Sequence, residues 1–132
     1  MSHRAQSISR ADASGHAPPA LMPDATRWGD LLFLSGRAAV DPLTFELRAP
    51  DFASQGRIVL DDIAAVLESA GSGMEHVLRV ECFLADPGDF AAWNELFRER
   101  FPGRRPARTT LVSAFALEGM LIEIQVVAGV PS

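Results

Sequence analysis

Leu121-Ile122-Glu123-Ile124-Gln125-Val126-Val127 alternates between two kinds of residue with a period of two. Successive side chains of a strand point to opposite faces, so Ile122, Ile124 and Val126 share one face and Leu121, Glu123, Gln125 and Val127 the other. The first face suits a helix-covered core. The second is too apolar for water yet carries a carboxylate, and is best explained as covered by another subunit. This one segment therefore predicts a single sheet with helices on one side, a closed homo-oligomer, and a site containing Glu123 at or near the interface.

The remaining chain supplies the other elements. Leu31-Leu32-Phe33-Leu34 reads as a buried strand, Ser35-Gly36 as a bend or bulge, and Ala38-Ala39-Val40 as its continuation. Asp41-Pro42-Leu43-Thr44 is a turn, and Phe45-Glu46-Leu47 a short returning strand. From Phe52 the spacing becomes helical, with Ile58, Val59, Ile63, Val66, Leu67 and Ala70 on one face and Gly71 at the C′ position. In Val77 to Leu84 the even positions Leu78, Val80, Cys82 and Leu84 are apolar, leaving Val77, Arg79, Glu81 and Phe83 for the open face. Asp86, Pro87 and Asp89 are the N-cap, N1 and N3 of a second helix. It carries Phe90, Trp93, Asn94, Phe97 and Phe101 and closes at Pro102-Gly103. Two strands, Arg108 to Phe115 and Met120 to Ala128, are joined around Glu118-Gly119. The order ββαβαββ predicts an α+β fold, a single mixed sheet with two helices on one face.

Residues 1–20 are small and polar without period and read as a flexible N-terminal arm, leaving residues 21–132 as one domain. The arm lacks the apolar block of a secretory signal; Arg4, Arg10 and its serines suggest a transit peptide, against which Asp12 argues. A chain of 132 residues, 48% hydrophobic, can bury one core but not two. Its formal charge of −5 repels nucleic acid and anionic membranes. All 12 basic residues are Arg, which excludes Schiff-base lysine chemistry. The single Cys82 excludes an internal disulfide, and its apolar face marks it as a buried inert thiol. The expectations are a cytoplasmic protein with no membrane span, no cofactor and no metal, since His3, His16 and His76 have no ligand spacing.

Pro106-Ala107-Arg108 lies fifteen residues before Glu123. An Arg beside a proline and a carboxylate inside an apolar strand each lose hydration unless something else meets them. They look like two halves of one polar site. Plainer readings stand beside this one. Arg108 would belong to a solvated basic end with Arg98, Arg100, Arg104 and Arg105, Glu123 would be an ion-pair partner of Arg79, Asn94 would bond its own backbone, and Trp93 and Phe97 would be core.

Taken together, the motifs resemble the RidA/YjgF imine deaminases, often labelled L-PSP endoribonuclease-like. The resemblance spans roughly residues 29–128 and rests on blocks in order. These are Ser35-Gly36 with Asp41-Pro42, Gln55 through Leu60-Asp61-Asp62-Ile63 to Ala70-Gly71, Asp89-Phe90 with Asn94, Pro106-Ala107-Arg108, and Ile122-Glu123-Ile124. It implies a fold like that of small chorismate mutases, a homotrimer, and sites in clefts between subunits. It further implies hydrolysis of 2-imino or enamino acids to 2-keto acids and ammonia, with a small imino or keto acid as the partner molecule. Arg108 corresponds to the arginine that grips the substrate carboxylate and Glu123 to the glutamate that positions water. Gly36, Arg37, Asn94 and Thr110 fall at substrate-binding positions. Three positions depart from the family pattern: the aromatic Tyr before the first strand has no counterpart, Leu21 or Met22 falling nearest; the usual Gln after Ser-Gly is Arg37; and the usual Cys or Ser is Thr110. A keto-acid-binding regulatory trimer without turnover is a second reading. An endoribonuclease is a third, opposed by the net charge and by the lack of a histidine near Arg108.

Overall fold

The computed structural model describes residues 4–9 and 21–132. Seven strands, β1 (Gln6–Ile8), β2 (Ala25–Trp28), β3 (Leu31–Leu34), β4 (Arg37–Ala38), β5 (Val77–Leu84), β6 (Ala107–Val112) and β7 (Ile122–Gly129), form one sheet. Helix α1 (Phe52–Ser69) follows β4, and α2 (Phe90–Arg100) connects β5 to the parallel strand β6. The path across the sheet is β1-β2-β3-β7-β5-β6, with β4 also pairing β7; apart from β5 with β6, every pairing is antiparallel. The sheet is thus mixed, as the sequence predicts. β7 lies at its centre, between β5 and the pair β3 and β4.

Both helices form for local reasons. Asp51 caps α1 by accepting from the Ser54 N–H (2.9 Å). At the other end Gly71, with φ of 81°, takes the left-handed turn that lets the Ser72 N–H reach the Leu67 carbonyl (2.8 Å). Asp86 caps a short 3₁₀ turn, Pro87–Asp89, which leads into α2. The helices bury Val59, Leu60, Ile63, Val66, Leu67, Trp93, Leu96 and Phe97 in the core cluster with Ile122, Ile124 and Val126. Glu123, Gln125 and Val127 are left partly exposed on the opposite face, whereas Leu121, expected there too, precedes the strand and packs against the core. The alternation in the last strand reads as expected.

The structure corrects the expected order in three places. Gln6–Ile8, assigned to a flexible arm, pairs with β2; residues 1–3 and 10–20 lie outside the described residues. β2 itself, joined to β3 through Gly29 at φ of 60°, precedes the expected first strand. Its only fully buried residue is Ala25, so no apolar alternation advertises it. Phe45-Glu46-Leu47 makes a single bridge, Leu47 to Val40, rather than a strand. The turn is closed instead by Asp41, whose carboxylate accepts the N–H groups of Leu43 (2.8 Å) and Thr44 (3.1 Å).

A fourth correction concerns the faces of β5. The register shifts between Val77 and Arg79, so Leu78 is an extra residue in the ladder. Val77, expected on the open face, is fully buried, and Leu78, expected in the core, is 45% exposed. Beyond the bulge the expected faces hold: Val80, Cys82 and Leu84 are buried.

Candidate active site

Strand register separates the two charged residues. Arg108 pairs with Val80 and Thr110 with Cys82, so both sit on the helix-covered face at the edge strand β6. Glu123 pairs with Phe83 and Ala38, on the opposite face, at the centre of the sheet. One chain does not bring Arg108 and Glu123 together.

The Arg108 half is cationic and aromatic. Its guanidinium stands 4.8 Å from the Phe97 ring centre, 5.7 Å from Phe90 and 5.9 Å from Trp93. Such packing holds the planar cation while leaving its N–H groups free of an acid partner among the described residues. The four expected basic neighbours have partners of their own: Arg98 pairs with Glu95, Arg100 with Asp61, Arg104 with the carbonyls of Glu75 and Val77, and Arg105 with the Phe101 carbonyl (3.4 Å). Asn94 lines, with Phe97, Arg98, Arg105 and Arg108, an open hollow of about 260 Å³. Thr110 accepts the Trp93 indole N–H (3.1 Å) and so fixes one ring of the Arg108 cradle. Trp93 and Phe97 are core, as their spacing suggests, and also cradle Arg108. Phe90, a helix turn from Asn94, was the residue whose part in this cradle the sequence reading missed.

The Glu123 half is a carboxylate without a bonded partner among the described residues. Glu123 is half-buried, and burial raises its carboxyl above the usual glutamate range. Arg79, the alternative ion-pair partner, donates instead to Glu81 (2.9 Å) and Thr109 (3.2 Å). Gln125 donates to the other Glu81 oxygen (2.6 Å), and these two contacts, Gln125 first, lower the Glu81 carboxyl. Gly36 lies against Glu123 closely enough that an added Cβ would come within 3.1 Å of Oε1. Arg37, expected among the substrate-binding residues, is joined to Asp24 in an ion pair.

Cys82 is buried under the helices and its thiol is pushed up to about 12 by burial, with the Arg108 charge opposing. It is no nucleophile at neutral pH. Among the described residues no group of three His, Cys, Asp or Glu side chains could hold a metal ion, and no helix is long and apolar enough to cross a membrane.

The family model described as Endoribonuclease L-PSP matches residues 15–130. The chain belongs to this family. It is the RidA/YjgF family that the sequence motifs resemble. The chain is 36% identical over 115 residues to a RutC family protein of Pyrococcus horikoshii, covering 86% of this chain and 91% of the relative. Protein DfrA of Myxococcus xanthus is 38% identical over 100 residues, 76% of each chain. The crystal structure of RidA from an Antarctic Psychrobacter species superposes with a TM-score of 0.80 at 29% identity, over 94% of this chain and 98% of that one. The RidA-family fold is therefore shared along nearly its whole length.

Proposed function

We propose that this RidA-family chain hydrolyses reactive 2-imino acids, and the enamines in equilibrium with them, to 2-keto acids and ammonia. The observation that carries the reading is the pair of unmatched charges. Among the described residues Arg108 is cradled without an acid, and Glu123 is half-buried without a cation or hydrogen bond, on opposite faces of one sheet. A homotrimer that sets the β6 edge of one subunit against the Glu123 face of the next would complete one site from two halves. The partly exposed apolar residues of that face, with Phe33 and Leu78 beside them, are the surface such an assembly would cover.

In such a cleft the Arg108 fork binds the substrate carboxylate through two parallel hydrogen bonds. The C=N carbon is already electrophilic, so the protein needs to orient a water and accept one proton. With the imine nitrogen protonated, Glu123 takes a proton from water as the water oxygen bonds to carbon, giving a neutral carbinolamine. Glu123 then returns that proton to nitrogen, and as the hydroxyl proton is lost to solvent the oxygen lone pair forms C=O, the C–N bond breaks, and ammonia and the 2-keto acid leave. Burial raises the Glu123 carboxyl, which strengthens it as a base.

The test generates imines in place with an amino-acid oxidase and follows their capture by a chemical scavenger. Faster disappearance with the protein present is expected. No acceleration of any imine, with 2-keto acids still bound, would replace turnover by ligand binding.

A further inference from the structure

A second hollow, of about 100 Å³, adjoins Glu123 through Gly36. Its walls are Leu21, Met22 and Pro23 on one side and Val40, Pro42 and Phe45 on the other. Leu21 is 91% exposed and Phe45 52%.

The Pro23 end of the first wall is clamped. The Ser35 N–H donates to the Asp24 carbonyl (3.0 Å), the Ser35 hydroxyl to the Pro23 carbonyl (2.8 Å), and Arg37 pairs with Asp24. The two charged side chains are only 13% and 19% exposed, so water weakens their attraction far less than at an open surface. The second wall is set by backbone. Phe45 is the one non-glycine residue at positive φ among the described residues, at 60°. A β-carbon disfavours that conformation, and here the Asp41 turn imposes it: the Phe45 N–H donates to the Asp41 carbonyl (2.8 Å). The result presents an aromatic ring at the rim of the hollow.

Resting on the deaminase reading, we propose that Phe45 and the Asp24–Arg37 clamp are specificity-determining elements. The hollow receives the side chain of the imino acid while its reacting carbon lies at Glu123. The hollow's lining by Leu21, Met22, Pro23, Val40, Pro42 and Phe45 is apolar, so it favours apolar side chains of leucine or methionine size over the methyl group of alanine. Arg37 acts as a positioning residue, holding the Leu21–Pro23 wall through Asp24 without touching substrate.

The experiment compares kcat/KM for imines made from alanine, leucine and methionine. Phe45→Gly keeps the backbone conformation at ease and deletes the wall. The leucine-to-alanine ratio should fall about tenfold, the loss expected for one to two buried methylene contacts. Arg37→Met should lower the leucine-to-alanine ratio mainly through KM, and the charge swap of Asp24→Arg with Arg37→Asp should restore it. Ratios within twofold of wild type in folded Phe45→Gly would overturn the proposal. If the wild-type protein accelerates no imine, the deaminase reading fails separately. Calorimetric titration of the matching 2-keto acids then decides the inference: the same ratio change in affinity supports it, and equal affinity across side chains overturns it.

Discussion

Gln55 is fully buried in α1, and its amide is a hub for three backbone groups. Its Nε2 donates to the carbonyls of Ala49 and Gly119, and its Oε1 accepts from the Leu121 N–H, each at 2.9 Å. The hub ties the entry to α1 and the entry to β7 together, two residues before Glu123. Gln55→Leu keeps similar bulk but can neither donate nor accept. Gly119 is exposed and its carbonyl can turn to water, whereas Ala49 and Leu121 are half-buried. Two stranded groups at about 1–3 kcal/mol each, less some gain from burying a more apolar side chain, give a loss of about 2–4 kcal/mol. Urea unfolding at fixed protein concentration measures it, since association would otherwise shift the midpoint. Activity should fall further than stability predicts, because the start of β7 is released. A loss below about 1 kcal/mol with an unchanged denaturant slope would refute the idea that this amide holds the Glu123 strand in place.

The other expectations concern the two half-sites. Arg108→Ala should lower kcat/KM by about 10- to 100-fold, the equivalent of a charge-assisted hydrogen bond of about 1.5–3 kcal/mol, and Arg108→Lys should not restore it because the fork is lost; steady-state kinetics on a scavenged imine reads both. Glu123→Gln should reduce turnover by roughly 10²-fold or more while 2-keto acid binding, followed by calorimetry, survives. The acid limb of the wild-type rate profile should lie above the usual glutamate range, since burial raises this carboxyl. An acid with a raised folded-state pKa costs nothing below its unfolded pKa and destabilises fully once pH exceeds the folded one. Glu123→Gln should therefore match or exceed wild-type thermal stability at neutral pH, with the difference vanishing in acid. Gly36→Ala places a methyl 3.1 Å from the Glu123 carboxylate, so kcat should fall by roughly tenfold through a displacement of a few tenths of an ångström, with the fold intact by circular dichroism.

The parts of the fold written as periodicity were legible. The alternation from Ile122 to Val127 specifies both faces of the central strand, and the spacing from Phe52 to Ala70, with Gly71 behind it, specifies a capped helix. What escaped was structure that depends on pairing rather than pattern. Gln6–Ile8 and Ala25–Trp28 are short and half-solvated, and they become strands because β3 offers an edge to Ala25–Trp28, which in turn offers one to Gln6–Ile8. The bulge at Leu78 leaves no mark in an apolar run, because Val77 and Leu78 are both hydrophobic and either could face inward. For the candidate site, residue types announced Arg108 and Glu123, but spacing along the chain carries no information about sheet face. Register alone reveals their separation. The aromatic cradle was half legible, since Phe90, Trp93, Asn94 and Phe97 form a helical row, but a row of aromatics reads first as core.

Mixing two inactive variants tests the intersubunit site most directly. Arg108→Ala and Glu123→Gln are each purified, unfolded together at equal concentration, refolded and assayed for imine hydrolysis. If a site takes Arg108 from one subunit and Glu123 from its neighbour, random reassembly around a closed ring gives about one quarter of the sites an intact pair, and activity should return to about that fraction of wild type. If refolded mixtures of the correct size and secondary structure stay as inactive as either variant alone, the two residues do not meet across subunits, and the proposed site is contradicted.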